Sequence, residues 1–245
     1  MRGGRSVPGA KAVQRALRAV ASEKKAAILR RFFKTGPGEY GEGDRFLGVV
    51  VPALRRVACA NRELPASDLD ALLDSPIHEE RLVALLILVE QFERAEVAGR
   101  RRILRFYLAR LDRVNNWDLV DLSAPKILGV HCVEHPEPDV LLRLARSPDL
   151  WRRRVSIVST FTLIRAGQVG PTLDLAEVLL GDPHDLLHKA CGWMLREVGK
   201  REEAALTGFL DRFASRMPRT MLRYAIERMP EAQRRDRLLR SRTSQ

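Results

Sequence analysis

Apolar residues recur at helical spacing along almost the whole chain. The segment Arg81-Leu-Val-Ala-Leu-Leu-Ile-Leu-Val-Glu-Gln-Phe92 is nearly all apolar, as a helix covered on several sides would be. Alternating strand-like patterns are scarce, and Val49-Val-Val51 is too short to make a strand. Helix boundaries are marked at Ser75-Pro76, Ser147-Pro148, Asp182-Pro183 and Met217-Pro218. The pattern predicts an all-α fold.

The prolines also set a period. Pro148 follows Pro76 by 72 residues, and Pro183 and Pro218 each follow at a further 35. A doubled interval leaves room for one more boundary near residue 112, where Leu111-Asp112-Arg113 stands and no proline does. Such a period fits pairs of antiparallel helices stacked as a solenoid. The expectation is a single helical-repeat domain over residues 1–245, with residues 1–20 and 235–245 as frayed basic termini.

Aligned on these boundaries, the fifth residues are Arg81, Trp117, Arg153, His188 and Arg223, and the sixth are Leu82, Asp118, Arg154, Lys189 and Tyr224. Equivalent positions of stacked helices line up, usually on the concave side. Arg153, Arg154, Lys189 and Arg223 therefore predict a basic stripe along a concave groove that suits a polyanion.

Composition narrows the classes further. Lys plus Arg number 43 against 31 Asp plus Glu, a formal charge of +12, and 45% of residues are hydrophobic. That is enough for a packed core and excludes wholesale disorder. No apolar run is long enough to span a membrane, and the basic start, Met1 to Lys11, has no apolar signal core. A cytoplasmic protein without a membrane partner is expected. Cys59, Cys132 and Cys191 are too far apart for a disulfide framework or zinc knuckle and read as small apolar fillers. His131/His135 and His184/His188 have i, i+4 spacing but no third ligand nearby, so no metal or other cofactor is expected. The stretch Thr35-Gly-Pro-Gly-Glu-Tyr-Gly-Glu-Gly43 lacks a Gly-Lys-Ser/Thr ending and reads as a connection between helices.

The candidate chemistry centres on Trp117 and Asp121. Four residues apart, indole and carboxylate share one helix face. An aspartate among Val120, Leu122 and Ala124 is costly unless it is paired or used. On the residues alone, a salt-bridged or capping role and a catalytic one both stay open. Asp118 points elsewhere and suits an arginine partner, and Trp151 reads as core.

Asn115-Asn-Trp-Asp-Leu-Val-Asp121, Leu150-Trp-Arg-Arg-Arg-Val-Ser-Ile157, Lys189-Ala-Cys-Gly-Trp-Met-Leu-Arg-Glu-Val198 and Phe46-Leu-Gly-Val-Val-Val-Pro-Ala-Leu-Arg-Arg56 resemble the AlkD-type DNA alkylation repair glycosylases. The similarity runs from about residue 20 to about 230. It implies a HEAT-like solenoid whose partner is duplex DNA and whose reaction is excision of cationic N3- or N7-alkylated purines by a monomer without cofactor. By motif, Trp117 and Trp193 would contact the deoxyribose, Asp121 would be the catalytic carboxylate, and Arg154 would bind the backbone. Arg153, Lys189 and Arg223 join the DNA-binding set through the stripe. Polar residues of the family's first repeat correspond here to Phe32 and Val50, and Thr35–Gly43 is an insertion, which bears on lesion range. The competing reading is a non-catalytic HEAT-like module that binds nucleic acid or protein.

Overall fold

The computed structural model describes residues 9–135 and 138–240. Among these residues the regular structure is helical, without strands, so the all-α helical-repeat expectation holds. The basic residues 1–8 and 241–245, and Pro136 after His135, lie outside the described residues. The chain gathers into two compact units, Met1–Ser123 and Ala124–Gln245.

The first unit contains α1 (Ala10–Ala19), α2 (Glu23–Phe32), α3 (Val51–Ala60), α4 (Ala66–Leu73), α5 (His78–Arg94), α6 (Val97–Ala109) and α7 (Trp117–Ser123). Its core is α5, which packs against α1, α3, α4, α6 and α7. The unbroken apolar run Leu82–Val89 is buried throughout, because neighbours cover every side of that helix. Local chemistry sets the ends of α2. Ser22 accepts the Lys25 N–H at the start, Glu23 lies in the first turn, and Arg30 and Arg31 lie in the last.

The second unit contains a π-helical turn (Pro125–Gly129), α8 (Val130–Glu134), α9 (Pro138–Ala145), α10 (Leu150–Arg165), α11 (Gly170–Val178), α12 (Asp185–Arg201), α13 (Glu203–Phe213), α14 (Arg219–Ala225) and α15 (Glu231–Arg240). Helices α10, α12 and α14 pack in series, with α9, α11 and α13 on their flank. Gly192 lets α14 approach α12. A Cβ there would stand 2.5 Å from both the Met221 carbonyl oxygen and the Tyr224 Cβ.

The proline frame matches the helix starts. Pro76, Pro148 and Pro183 stand two residues before α5, α10 and α12, and Pro218 directly precedes α14. The empty slot near 112 is a 3₁₀ turn, Leu111–Arg113, with α7 shortly after it. The termini need correcting. Residues 10–19 form α1 rather than fraying, since Val13 and Leu17 are buried and the Ala10 N–H donates to Asp68 at 3.0 Å. Residues 231–240 are likewise helical. Cys132 and Cys191 are buried as expected, but Cys59 is exposed.

Candidate active site

Helix α7 presents the Trp-Asp-x-x-Asp motif. Buried Asn116 starts it, its side-chain oxygen accepting the Trp117 N–H at 2.8 Å. Trp117 is half-buried. Phe33 stacks on one face of its indole, centroids 5.1 Å apart and planes 22° from parallel, and Phe32 meets it edge-on at 5.8 Å. Phe32 is itself 60% exposed, so an apolar ring stands at the surface where the family resemblance points to a polar residue. Val50, the other departure, is also exposed. Asp121, one turn after Trp117, is half-buried.

Asp118 turns inward, as the spacing predicts, but its partner is not an arginine. Its Oδ2 stands 2.8 Å from His78 Nε2. On the other side of the ring, His78 Nδ1 is 3.1 Å from Asp44 Oδ2. Asp44 also accepts from Arg81 Nη2 at 2.6 Å and from Asn116 Nδ2 at 3.3 Å. His78 is 1% exposed. Burial opposes its charge, but the Asp118 carboxylate and the hydrogen bonds to Asp118 and Asp44 outweigh that, pushing the imidazole up to about 9. Burial would likewise raise Asp44, yet the bond from His78 and the nearby Arg81 charge hold it below the usual carboxylate range. Both ring nitrogens of His78 therefore donate at neutral pH.

The ring packs against aromatics as well. Phe46 stacks on it at 4.6 Å and Phe33 meets it tilted, at 4.9 Å. The segment leading to α3 is fixed by the next residue of α5. The Glu79 carboxylate accepts the N–H groups of Leu47, Gly48 and Val49 at 3.0, 2.8 and 3.1 Å. Gly48 has φ +79° and lies so close to α2 that a Cβ would meet the Ser22 carbonyl oxygen at 2.1 Å. The insertion Thr35–Gly43 folds on its own carboxylates, Glu39 accepting the Gly36 N–H at 2.8 Å and Glu42 the Gly38 N–H at 2.9 Å.

In the second unit, the remaining sequence candidates lie on alternate helices, α10, α12 and α14. Trp193, on α12, is half-buried with Phe161 at 5.8 Å. Arg154, on α10, is only 5% exposed, and its Nη1 donates to the Leu186 carbonyl at 2.8 Å. Lys189 forms an i, i+4 pair with Asp185 at 2.7 Å, and Arg223 on α14 is exposed. Arg153 differs from the stripe picture. Its Nε pairs with Asp182 at 2.6 Å, and its Nη1 donates to the Ser147 and Pro148 carbonyls at 2.9 and 2.8 Å. Trp151 is buried, in keeping with its reading as core.

The cluster around His78 escaped the sequence reading. Its one visible signal is position, since His78 stands two residues beyond Pro76, at the head of the helix that carries the unbroken apolar run Leu82–Val89.

These features define an all-α helical-repeat protein carrying a half-buried tryptophan and aspartate on one short helix. Residues 13–229 match the family model described as DNA alkylation repair enzyme, and the chain belongs to that family. A solved structure from Enterococcus faecalis, described as a predicted DNA alkylation repair enzyme, has the same fold. The two agree with a TM-score of 0.69 at 15% sequence identity, covering 86% of this chain and 97% of the other. No curated protein matches this chain. Among the described residues, no helix is long and apolar enough to cross a membrane.

Proposed function

We propose that the protein is a monofunctional DNA glycosylase that excises N3- or N7-alkylated purines from duplex DNA. Trp117 and Asp121 on one face of α7, in a chain of the DNA alkylation repair enzyme family, carry this reading. Alkylation of a ring nitrogen makes the purine cationic and a good leaving group. The C1′–N bond breaks, its electron pair leaves with the base, and positive charge develops on the sugar. Water then adds to C1′ and loses a proton to solvent, giving free base and an abasic site.

Catalysis needs negative charge placed beforehand where this cation forms. Asp121 supplies it and positions the water. At about 4 Å and an effective dielectric near 20, one carboxylate contributes about 4 kcal/mol. That is roughly a thousandfold in rate, less whatever it already gives the ground state. The indole face of Trp117 contacts the deoxyribose as its C–H groups gain charge, at about 0.5–2 kcal/mol. For Trp117 the working face is the one Phe33 leaves uncovered. Arg154, Lys189 and Arg223, from α10, α12 and α14, bind phosphates and set register without reading sequence. Arg153 is left out of this interface, because its donors already hold Asp182 and two carbonyls.

The test is release of free 7-methylguanine from methylated duplex DNA with no added metal or nucleotide, wild type against Asp121→Asn. Release by the wild type alone supports the proposal. Tight DNA binding without release identifies a non-catalytic binding module instead.

A further inference from the structure

Helix α7 is seven residues long, too short to hold its own position. Its placement must come from contacts, and one in its first turn, at 2.8 Å, joins Asp118 to His78 on α5. His78 reaches in the opposite direction to Asp44, the residue that closes the glycine-rich insertion. Main-chain bonds fix the imidazole relative to that segment, with the His78 N–H donating to the Arg45 carbonyl at 2.8 Å and the Arg45 N–H to the Pro76 carbonyl at 3.1 Å. The ring is thus a rigid post between a loop and the helix that bears Trp117 and Asp121. A second route runs through ring contacts, from His78 to Phe33, tilted, and from Phe33 to Trp117, stacked.

We infer that His78 is a positioning residue: its imidazolium, donating to Asp44 and Asp118 at once, sets where α7 holds Trp117 and Asp121. The inference rests on the reading of those two residues as the reacting site. A neutral ring has one donor and one lone pair, so whichever carboxylate faces the lone pair loses its bond and is repelled. The charged and titratable groups around the ring are few. Asp44 faces it from the loop, Asp118 from α7 and Arg81 from its own helix, while Phe33 and Phe46 pack against it. Glu79 is occupied by the N–H groups of residues 47–49, and Glu80 by Gln14 and Arg18. His78 is the member of the cluster that changes state on the alkaline side. Above about 9 the post loses one of its two bonds, so the ring no longer ties Asp44 and Asp118 together and the first turn of α7 is held less firmly to the loop.

The test needs no activity. The indole N–H resonance of Trp117, assigned by its loss in Trp117→Phe, is followed in the full chain from pH 7 to pH 10. In the wild type it should move through a single transition with a midpoint near 9, while the Trp193 resonance should not follow it. In His78→Gln the transition should vanish, with the Trp117 signal already displaced at neutral pH. A Trp117 signal that stays put across the range, or titrates alike in both proteins, overturns the inference; the wild-type titration decides even if the variant does not fold. If the wild type excises 7-methylguanine, His78→Gln should slow single-turnover release at least tenfold while DNA affinity changes less than twofold. A wild type with no release but the expected Trp117 transition would sink the glycosylase reading and leave the positioning role of His78 standing. Slowed release with an unmoved Trp117 resonance would overturn the positioning role alone.

Discussion

Arg81 and Arg153 make the same contact in different repeats: each donates from Nη1, at 2.9 Å, to the carbonyl six residues before it, Ser75 in one case and Ser147 in the other. Each also holds an aspartate at 2.6 Å, Asp44 and Asp182 respectively. His188 does likewise, its Nε2 2.6 Å from the Asp182 carbonyl. In all three cases the carbonyl belongs to the residue just before the boundary proline. The chain there is extended ahead of the helix, so its carbonyl has no helical donor and takes a side-chain one. The fifth position of the repeat is, at these three places, a device that closes the turn.

Arg153→Ala should therefore act on folding. It strips Asp182 and two carbonyls of donors and should destabilise the protein by about 1–3 kcal/mol, read by denaturant unfolding. The salt dependence of DNA binding should stay as in the wild type. A lower salt slope with unchanged stability would restore Arg153 to the DNA interface.

Asp121→Asn keeps the shape of the side chain, replaces one acceptor oxygen with an N–H donor and removes the charge. Single-turnover excision of 7-methylguanine should slow at least tenfold, with DNA affinity nearly unchanged. Equal rates would remove Asp121 from the mechanism.

Arg154→Ala should show two effects. Loss of a phosphate contact should weaken DNA binding and lower the salt slope by about one. Loss of the bond to Leu186 should also cost about 1 kcal/mol of stability. Full affinity in a folded variant would confine Arg154 to a structural role.

Stability should also depend on alkaline pH in a defined sense. His78 is raised from 6.5 to about 9 on folding, so between those values the folded state holds a proton that the unfolded chain has lost. Its contribution, about 3 kcal/mol at most, is complete below 6.5 and disappears as pH rises through 9. Asp44 works on the other side: its lowered value gives stability that is present above 3.8 and lost as pH falls through the folded value. Denaturation midpoints measured from pH 6 to pH 10 should fall through this window in the wild type and stay level in His78→Gln.

The repeat architecture was legible because local chemistry marks it. Proline at a helix start follows from backbone geometry alone, and four such prolines gave both the starts and the period. The Trp117–Asp121 face was legible for the same reason, since helical spacing is local. The His78 cluster was not, because its partners Asp44 and Asp118 lie 34 and 40 residues away and meet it only through packing. The same applies to Asp118, where a buried polar group calls for a partner but the sequence does not say which. The partners of Arg153 were not legible either. An arginine at a repeat position reads as surface charge, and only the folded turn reveals the carbonyls and the aspartate that engage it.

The Glu79 carboxylate has one more consequence. Residues 47–49 belong to neither helix nor strand, yet their three N–H groups end on a side chain rooted in α5, the most deeply buried helix of the first unit. Their amide protons should then exchange with deuterated solvent as slowly as those of α5 itself, since freeing any of them means dislodging the helix that anchors the acceptor. A stretch drawn as coil would behave in solution as part of the slowest-opening element of its unit.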